Sequence, residues 1–158
     1  MSTESLYRLF FPDGNRHQKE LLNTLILDVR DKSERDVSWI GQSDWIDYSK
    51  DINANVDHVH DLISQRLSST QDDENLHVIA YCSVGYRSSE LLSALNKSCA
   101  SGRYSHCDKL TISNLEGSLF KWANEGRPIV TSGNVPTTYV HPYNSFWGRL
   151  LNSDLHKR

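Results

Sequence analysis

The sequence predicts an α/β domain whose central, mostly parallel sheet is flanked by helices. Short, continuous apolar runs at 25–29 and 77–81 are typical of strands buried on both faces of a sheet. Segments with helical spacing of apolar residues alternate with these runs along the chain. Such alternation is typical of right-handed crossover connections between parallel strands, so the two observations favour the same fold class.

The first half of the chain contains one clear strand and one clear helix. The strand at 25–29 carries Asp28 near its C-terminal end. From 30 to 55 the sequence is polar with isolated aromatic residues, so we expect only short strand pieces at 39–40 and 45–48. Four apolar residues then recur at helical spacing from Val56 to Leu67, and this predicts an amphipathic helix capped by Asn55, with a solvated connection at 68–75.

The second half repeats the order of strand and helix. The strand at 77–81 runs through a short loop into a helix at 88–96, and a third strand is predicted at 110–112. The next helix contains Leu119 and Trp122 and stops at Gly126. A loop between a parallel strand and its helix lies at the carboxyl edge of the sheet, where ligands bind in folds of this class.

Length and residue pattern predict one domain with two extensions. The chain has 158 residues, enough for one core of ordinary size. We divide it into an N-terminal extension at 1–20, the α/β domain at 21–130 and a C-terminal extension at 131–158. The last contains a short amphipathic helix, because apolar residues from Tyr143 to Leu151 recur at helical intervals. We expect this helix to pack back onto the domain.

Composition excludes several classes of partner. The net charge is -3, from 17 basic and 20 acidic side chains, so neither nucleic acid nor an anionic membrane is expected to bind. No apolar run approaches the roughly 20 residues of a membrane span, and no secretion signal is recognised at the N-terminus. The three cysteines are an odd number, which argues against a disulfide framework and favours a reducing, cytoplasmic compartment.

The loop that begins at Cys82 is the candidate catalytic site. If it curls round the sulfur, its N–H groups and the following helix N-terminus favour a bound anion and lower the thiol pKa. Gly85 suits a backbone position with positive φ, Arg87 adds a fixed charge, and Ser88 can cap the helix. The anion-binding loop comprises Ser83, Val84, Gly85, Tyr86, Arg87 and Ser88.

The order of Cys82, Gly85, Arg87 and Ser88 after an apolar strand resembles the active-site loop of rhodanese-homology domains. The segment 27–30 with Glu34 resembles the family's opening strand and its acidic residue. Three further segments resemble the family's closing signature: 115–118, Trp122, and Gly126 with Pro128. The chain departs from the family pattern in two places, where Trp39 replaces a histidine and Ser118 replaces a glycine.

This resemblance implies a rhodanese-like three-layer domain and persulfide chemistry at Cys82. The corresponding hypothesis is a sulfurtransferase that moves a sulfane sulfur from a thiosulfate-like donor to a thiol or to cyanide, without a cofactor or a metal. A sulfur-accepting protein is a further candidate partner. A catalytically inactive rhodanese-like binding module remains an alternative, as does a cysteine phosphatase or arsenate-type reductase, which the short loop between Cys82 and Arg87 disfavours.

Several other polar residues are candidates for supporting roles. Asp28, Arg30 and Glu116 are candidate supporting charges, with Asp28 or Glu116 as expected ion-pair partners of the arginines. Cys99 and Cys107 lack the close spacing and the fourth ligand of a zinc site, so no metal is predicted, although either could resolve a persulfide on Cys82. The polar residues between 57 and 61, with two histidines, are assigned to a solvated helix face.

Overall fold

The computed structural model describes residues 1–11, 21–69 and 75–157. Among these residues no helix is both long enough and apolar enough to cross a membrane. The helices are α1 (Thr3–Phe10), α2 (Lys32–Arg35), α3 (Ile52–Ser69), α4 (Tyr86–Ala100) and α5 (Ser118–Asn124). The strands are β1 (Thr24–Asp28), β2 (Asp44–Trp45), β3 (Leu76–Tyr81), β4 (Leu110–Asn114), β5 (Ile129–Thr131) and β6 (Val135–Thr137).

A four-stranded parallel sheet in the order β2-β1-β3-β4 forms the centre of the domain. In β1 all five residues are buried, as the continuous apolar run predicts for a strand covered on both faces. β5 and β6 form a separate antiparallel pair, and a bridge between Trp39 and Val130 joins β5 to the loop before β2. The predicted α/β class with a mostly parallel, helix-flanked sheet is therefore confirmed.

Alternate residues of the central strands supply two hydrophobic cores, one on each face of the sheet. Leu25 and Leu27 of β1 pack with α3 and α4, whereas Ile26 packs with α5 and with Leu6 of α1. Two layers of helix therefore enclose one layer of strand. Strands β1, β3 and β4 run parallel, so their carboxyl ends lie at one edge of the sheet. The loop that begins at Cys82 follows β3 at this edge.

Helix α3 begins earlier than the sequence analysis predicts. The N–H groups of Asn53 and Ala54 donate to the Asp51 carboxylate at 2.9 and 3.1 Å, so Asp51 caps the helix. Asn55 lies inside the helix and is buried, with its amide donating to the Asp47 carbonyl at 3.0 Å. The prediction of Asn55 as the cap is wrong because a second polar residue four positions earlier fills that place. The connection predicted at 68–75 falls partly on 70–74, which lie outside the described residues.

Both extensions contact the domain. Leu6 of α1 is completely buried, and the N–H of Glu116 donates to the Met1 carbonyl at 2.9 Å. In the C-terminal extension the predicted stripe forms a 3-10 helix at Trp147–Leu150. Leu151 is buried in the core, whereas Phe146 is 65% exposed and Leu150 is 55% exposed, so only part of the predicted apolar stripe packs back onto the domain.

A disulfide joins Cys99, in the last turn of α4, to Cys107, with their Cα atoms 5.4 Å apart. The sequence analysis argued against a disulfide framework and did not predict this single bond. An odd count of cysteines excludes full pairing but not one pair, and the turn after α4 brings these two residues together. Cys82 is the remaining free thiol.

Candidate active site

The loop after β3 encloses the sulfur of Cys82. Gly85, the residue before α4, has a φ of +105°, a left-handed conformation that favours glycine. This conformation turns the Gly85 N–H inward, where it donates to the Cys82 Sγ at 3.1 Å. The loop therefore adopts the curled form that the sequence predicts, and Gly85 allows it.

The environment of Cys82 favours the thiolate. Burial opposes a charge on the sulfur, but N–H groups of Ser88, Gly85 and Val84 and the Arg87 charge outweigh it, so the Cys82 pKa lies below its ordinary value. Cys82 is only 1% exposed. The sulfur thus lies at the bottom of the loop, with the amides directed towards it, and the loop favours negative charge at this position.

The start of α5 fixes the loop from the opposite side. The N–H groups of Leu119 and Phe120 donate to the carbonyls of Cys82 and Ser83 at 3.1 and 3.0 Å. The Cys82 N–H donates to the Ser118 hydroxyl at 3.3 Å. Two unpaired donors of the first turn of α5 are thereby satisfied by the loop that begins at Cys82, and Cys82 is held between the N-termini of α4 and α5.

Ser88 and Asn114 fix the position of Gly85. The Asn114 amide and the Ser88 hydroxyl donate to the Gly85 carbonyl at 2.9 and 3.2 Å, and the same hydroxyl lies 2.8 Å from the Asn114 side-chain oxygen. Ser88 does not cap α4, because Gly85 occupies the N-cap position and Ser88 lies within the first turn. The prediction that Ser88 caps the helix is therefore wrong, although it does stabilise the loop.

A buried carboxylate holds Arg87. The guanidinium donates to both oxygens of Glu34, at 2.6 and 2.8 Å, and Asp31 lies 3.2 Å away. Ser83 also donates to Glu34. Burial alone raises the pKa of Glu34, but hydrogen bonds from Arg87 outweigh that effect and the pKa is lowered. Arg87 therefore has a structural ion pair, and its partner is Glu34 rather than the predicted Asp28 or Glu116.

The predicted charges Asp28 and Arg30 pair with each other and not with a residue of the loop at 82–88. Arg30 donates to both oxygens of Asp28, at 2.7 and 2.6 Å, and both side chains are fully buried. Arg35 and the Tyr81 hydroxyl also donate to Asp28, at 2.8 and 3.0 Å. This network fixes the C-terminal end of β1 and supports the structural interpretation of Arg30. Glu116 is exposed and contacts Met1 only through its backbone N–H.

Aromatic side chains surround the rim of the loop. Tyr86 is 66% exposed, so its side chain lies at the surface of the loop. The Arg87 guanidinium lies 4.5 Å from the ring centre of Tyr143 and 5.6 Å from that of Tyr48. Tyr143 belongs to the C-terminal extension, which therefore reaches the candidate site.

Cys99 and Cys107 are too distant from Cys82 to resolve a persulfide on it. Cys82 precedes α4 and Cys99 lies in its last turn, and a helix of 15 residues spans about 22 Å at its regular rise. Cys99 and Cys107 are also bonded to each other. The alternative in which either attacks a Cys82 persulfide within one chain is therefore excluded by distance.

The sequence model of the rhodanese-like domain family matches residues 13–125 of this chain. The chain belongs to this family. In this rhodanese-like domain, Cys82 occupies the loop between the third strand of the sheet and the helix that follows it. A comparison with curated protein sequences found no match.

Solved structures of low sequence identity share the fold. A yeast protein tyrosine phosphatase of the rhodanese family is 16% identical, with a TM-score of 0.62, over 77% of this chain and 81% of that one. An As-Sb reductase from Leishmania major is 14% identical, with a TM-score of 0.62, over 87% and 90%. The rhodanese-like domain of an Anabaena protein is 20% identical, with a TM-score of 0.53, over 83% and 77%. At these identities the likeness establishes architecture alone.

The two departures from the family pattern have local structural explanations. Ser118 has a φ of +52°, the left-handed region where glycine is favoured, and its hydroxyl accepts the Cys82 N–H that a glycine would leave unbound. Trp39 stacks on the Arg35 guanidinium, with its ring centre 4.3 Å away, and its backbone pairs with Val130. Ser118 therefore contacts the catalytic loop, whereas Trp39 contacts the network around Asp28.

Sequence reasoning missed several residues of the site. Glu34 was noticed only as a family match, although its position three residues after Asp31 marks a capping box at the start of α2. Asn114 ends β4, at the same edge of the sheet as Cys82, and this position was a usable signal. Tyr143 gave no signal, because nothing in the sequence places the C-terminal extension beside the loop.

Proposed function

We propose that this rhodanese-like domain is a sulfurtransferase that carries sulfur as a persulfide on Cys82. The observation that supports the proposal most directly is the ring of N–H groups from Val84, Gly85 and Ser88 around the Cys82 sulfur. A persulfide is an anion at neutral pH, and such a ring stabilises negative charge on sulfur.

The first step loads the enzyme. The Cys82 thiolate attacks the sulfane sulfur of a thiosulfate-like donor, an S–S bond forms to Cys82, and the donor's own sulfur–sulfur bond breaks. With thiosulfate the bonding pair leaves on sulfite, so the products are a Cys82 persulfide anion and a sulfite dianion. The lowered Cys82 pKa favours the thiolate that makes this attack.

The second step returns the thiolate. A nucleophilic acceptor, either cyanide or a thiolate, attacks the outer sulfur of the persulfide and takes it away, and the bonding pair stays on Cys82. With cyanide the product is thiocyanate. Neither step consumes an oxidant or a cofactor, and the same N–H groups hold the negative charge before and after each transfer.

Two features favour sulfur over a phosphate ester as the substrate. Four residues separate Cys82 from Arg87, one fewer than in the loop of the related phosphatases, so the ring of amides is smaller. A phosphate clamp also needs free guanidinium donors, whereas the two terminal nitrogens of Arg87 already donate to Glu34, Asp31 and Ser83. The same two features disfavour an arsenate-type oxyanion.

The test measures the sulfur directly. Purified protein is mixed with thiosulfate, passed through a desalting column and examined by intact mass spectrometry. We expect one added sulfur per chain, lost again on addition of cyanide with release of one thiocyanate. Cys82→Ser is expected to abolish both signals, because the hydroxyl does not form the persulfide.

Matched controls separate the three candidate functions. The double variant Cys99→Ser/Cys107→Ser leaves Cys82 as the sole thiol and is expected to load fully. Protein that takes up no sulfur from thiosulfate but hydrolyses a small aryl phosphate or reduces arsenate in a Cys82-dependent way would overturn the proposal. Absence of all three activities, with the fold intact by circular dichroism, would favour the inactive binding module.

A further inference from the structure

The C-terminal end of α4 gathers a second set of sulfur and nitrogen atoms. His60 of α3, His106 and Cys107 place one ligand atom each within 4.8 Å of one another, and Cys99 is bonded to Cys107. The ring nitrogens His60 Nδ1 and His106 Nε2 are 2.9 Å apart, although 46 positions separate the two residues in the chain. Two imidazoles and two cysteines therefore meet at one place.

We propose that His60, Cys99, His106 and Cys107 form a structural Zn²⁺ site when the two cysteines are reduced. Two cysteines and two histidines are a common tetrahedral zinc ligand set, with Zn–N near 2.0 Å and Zn–S near 2.3 Å. Tetrahedral angles then require nitrogen atoms about 3.3 Å apart. The observed 2.9 Å needs only a small adjustment of the rings.

The hydrogen bonds of His60 leave the correct nitrogen free to bind metal. The Ser98 hydroxyl donates its one hydrogen to the Leu95 carbonyl at 2.7 Å. His60 Nε2, 2.7 Å from the same hydroxyl, must therefore be the donor of that hydrogen bond, so it carries the proton. The lone pair is then on Nδ1, which faces His106. An N–H bound on the far side of the ring is the usual support of a metal-bound histidine.

The surroundings shield and orient this cluster. His60 is 2% exposed, and the Tyr104 ring stacks on it with centres 3.4 Å apart. The Tyr104 hydroxyl donates to Asp57 at 2.6 Å, and Arg103 pairs with the same carboxylate at 3.2 Å. Cys99 lies in the last turn of α4, where the partial negative charge of the helix terminus favours a cation. His60 does not belong to a solvated face, contrary to the sequence analysis.

The redox state of the cysteines decides whether the site exists. A phosphine reductant and one water cleave the disulfide to two thiols, and the phosphine becomes its oxide. Zn²⁺ then replaces the two thiol protons, which are released to solvent. The proton that His106 Nε2 donates to His60 Nδ1 moves to His106 Nδ1, so that both facing nitrogens offer a lone pair to the metal. The disulfide form offers no thiolate, so the oxidised chain provides a control of identical sequence.

The experiment uses the full chain with Cys82→Ser, so that the catalytic thiol takes no part. Metal-free protein, oxidised or reduced with a phosphine, is titrated with Co²⁺ and then with Zn²⁺. We expect one equivalent of Co²⁺ to bind only the reduced form, with a thiolate-to-metal charge-transfer band and the visible spectrum of tetrahedral cobalt. Zn²⁺ should displace it and raise the melting temperature.

Variants assign the ligands. His60→Asn, His106→Asn and Cys107→Ser should each weaken Zn²⁺ binding at least tenfold, whereas the exposed His58→Asn on the same helix should leave it unchanged. Ser98→Ala leaves all four ligands in place and should weaken binding less than the ligand variants do. Equal binding by oxidised and reduced protein, no stoichiometric binding, or full affinity in a folded His60→Asn variant would overturn the proposal.

Discussion

The two ends of α4 present sulfur in opposite electrostatic settings. At the N-terminal end the Cys82 sulfur accepts backbone N–H groups, and its pKa is lowered. At the C-terminal end Cys99 and Cys107 lie beside the carbonyl end of the helix and are bonded to each other. The helix N-terminus carries partial positive charge and the C-terminus partial negative charge. The same residue type is a free thiol of lowered pKa at one end and forms a disulfide at the other.

The charged residues near the two ends differ in the same way. Glu34 and Arg87, next to Cys82, are 1% and 6% exposed and hold the loop through two hydrogen bonds. Arg103 and Asp57, near Cys107, are 66% and 49% exposed. Breaking a buried ion pair is costly because the remaining charge is not solvated, whereas an exposed pair contributes little to the free energy of unfolding. The catalytic end should therefore be the more sensitive to substitution.

The largest effect is expected from Glu34→Gln. The substitution leaves the Arg87 charge buried without a carboxylate, and we expect a loss of about 3 kcal/mol in the free energy of unfolding, measured by urea denaturation. The matched control is Asp36→Asn, which removes an exposed pair with Lys32 close to the same helix and should leave the midpoint unchanged. A Glu34→Gln variant as stable as the unsubstituted chain would show that this pair does not hold the loop.

Removal of the disulfide is expected to lower the free energy of unfolding less than Glu34→Gln does, and to leave sulfur loading unchanged. Cys99 and Cys107 are 8 positions apart, and closing so short a loop contributes about 2.5 kcal/mol in the chain-entropy description. Cys99→Ser/Cys107→Ser should lose this amount relative to oxidised, metal-free protein, yet load sulfur on Cys82 at an unchanged rate. A comparable drop in loading would mean that the two ends of α4 are coupled.

Two substitutions at Ser118 separate the effect of backbone strain from the effect of the hydrogen bond to the Cys82 N–H. Ser118→Ala removes the acceptor of the Cys82 N–H but keeps a side chain at φ +52°, and should cost about 1 to 2 kcal/mol. Ser118→Gly loses the same hydrogen bond but relieves the strain, so it should be more stable than the alanine variant by about 1 kcal/mol. The exposed Ser89→Ala in α4 is the control, and equal stability of the glycine and alanine variants would contradict this account.

The smallest expected effect is a shift in the pH dependence of Cys82 reactivity. In the Cys99→Ser/Cys107→Ser background, the alkylation rate with iodoacetamide should rise with pH through the Cys82 pKa, because the thiolate is the nucleophile. Since folding lowers that pKa, the midpoint should lie at lower pH in native protein than in urea. A native midpoint at or above the unfolded one would mean that burial outweighs the N–H groups.

Much of the fold could be predicted because its signals are local. A buried parallel strand must be apolar along its whole length, so β1 and β3 were recognisable from 25–29 and 77–81. The helix ends were predicted less accurately. Asp51 and Asn55 are both residue types that cap helices, but in the folded chain Asp51 accepts the Asn53 N–H whereas the Asn55 amide donates to the Asp47 carbonyl. The curled loop at Cys82 was recognisable because Cys82, Gly85 and the following helix are contiguous in sequence.

The sequence by itself determined the α/β architecture and singled out Cys82 as the candidate nucleophile, since both depend on periodicity and on neighbours along the chain. Only the tertiary structure decided the partners: Glu34 with Arg87, Ser118 with the Cys82 N–H, and His60 with His106. Each pair joins residues at least 36 positions apart. Charge pairs and ligand sets depend on distance in space, and residue spacing carries no record of that distance until the chain has folded.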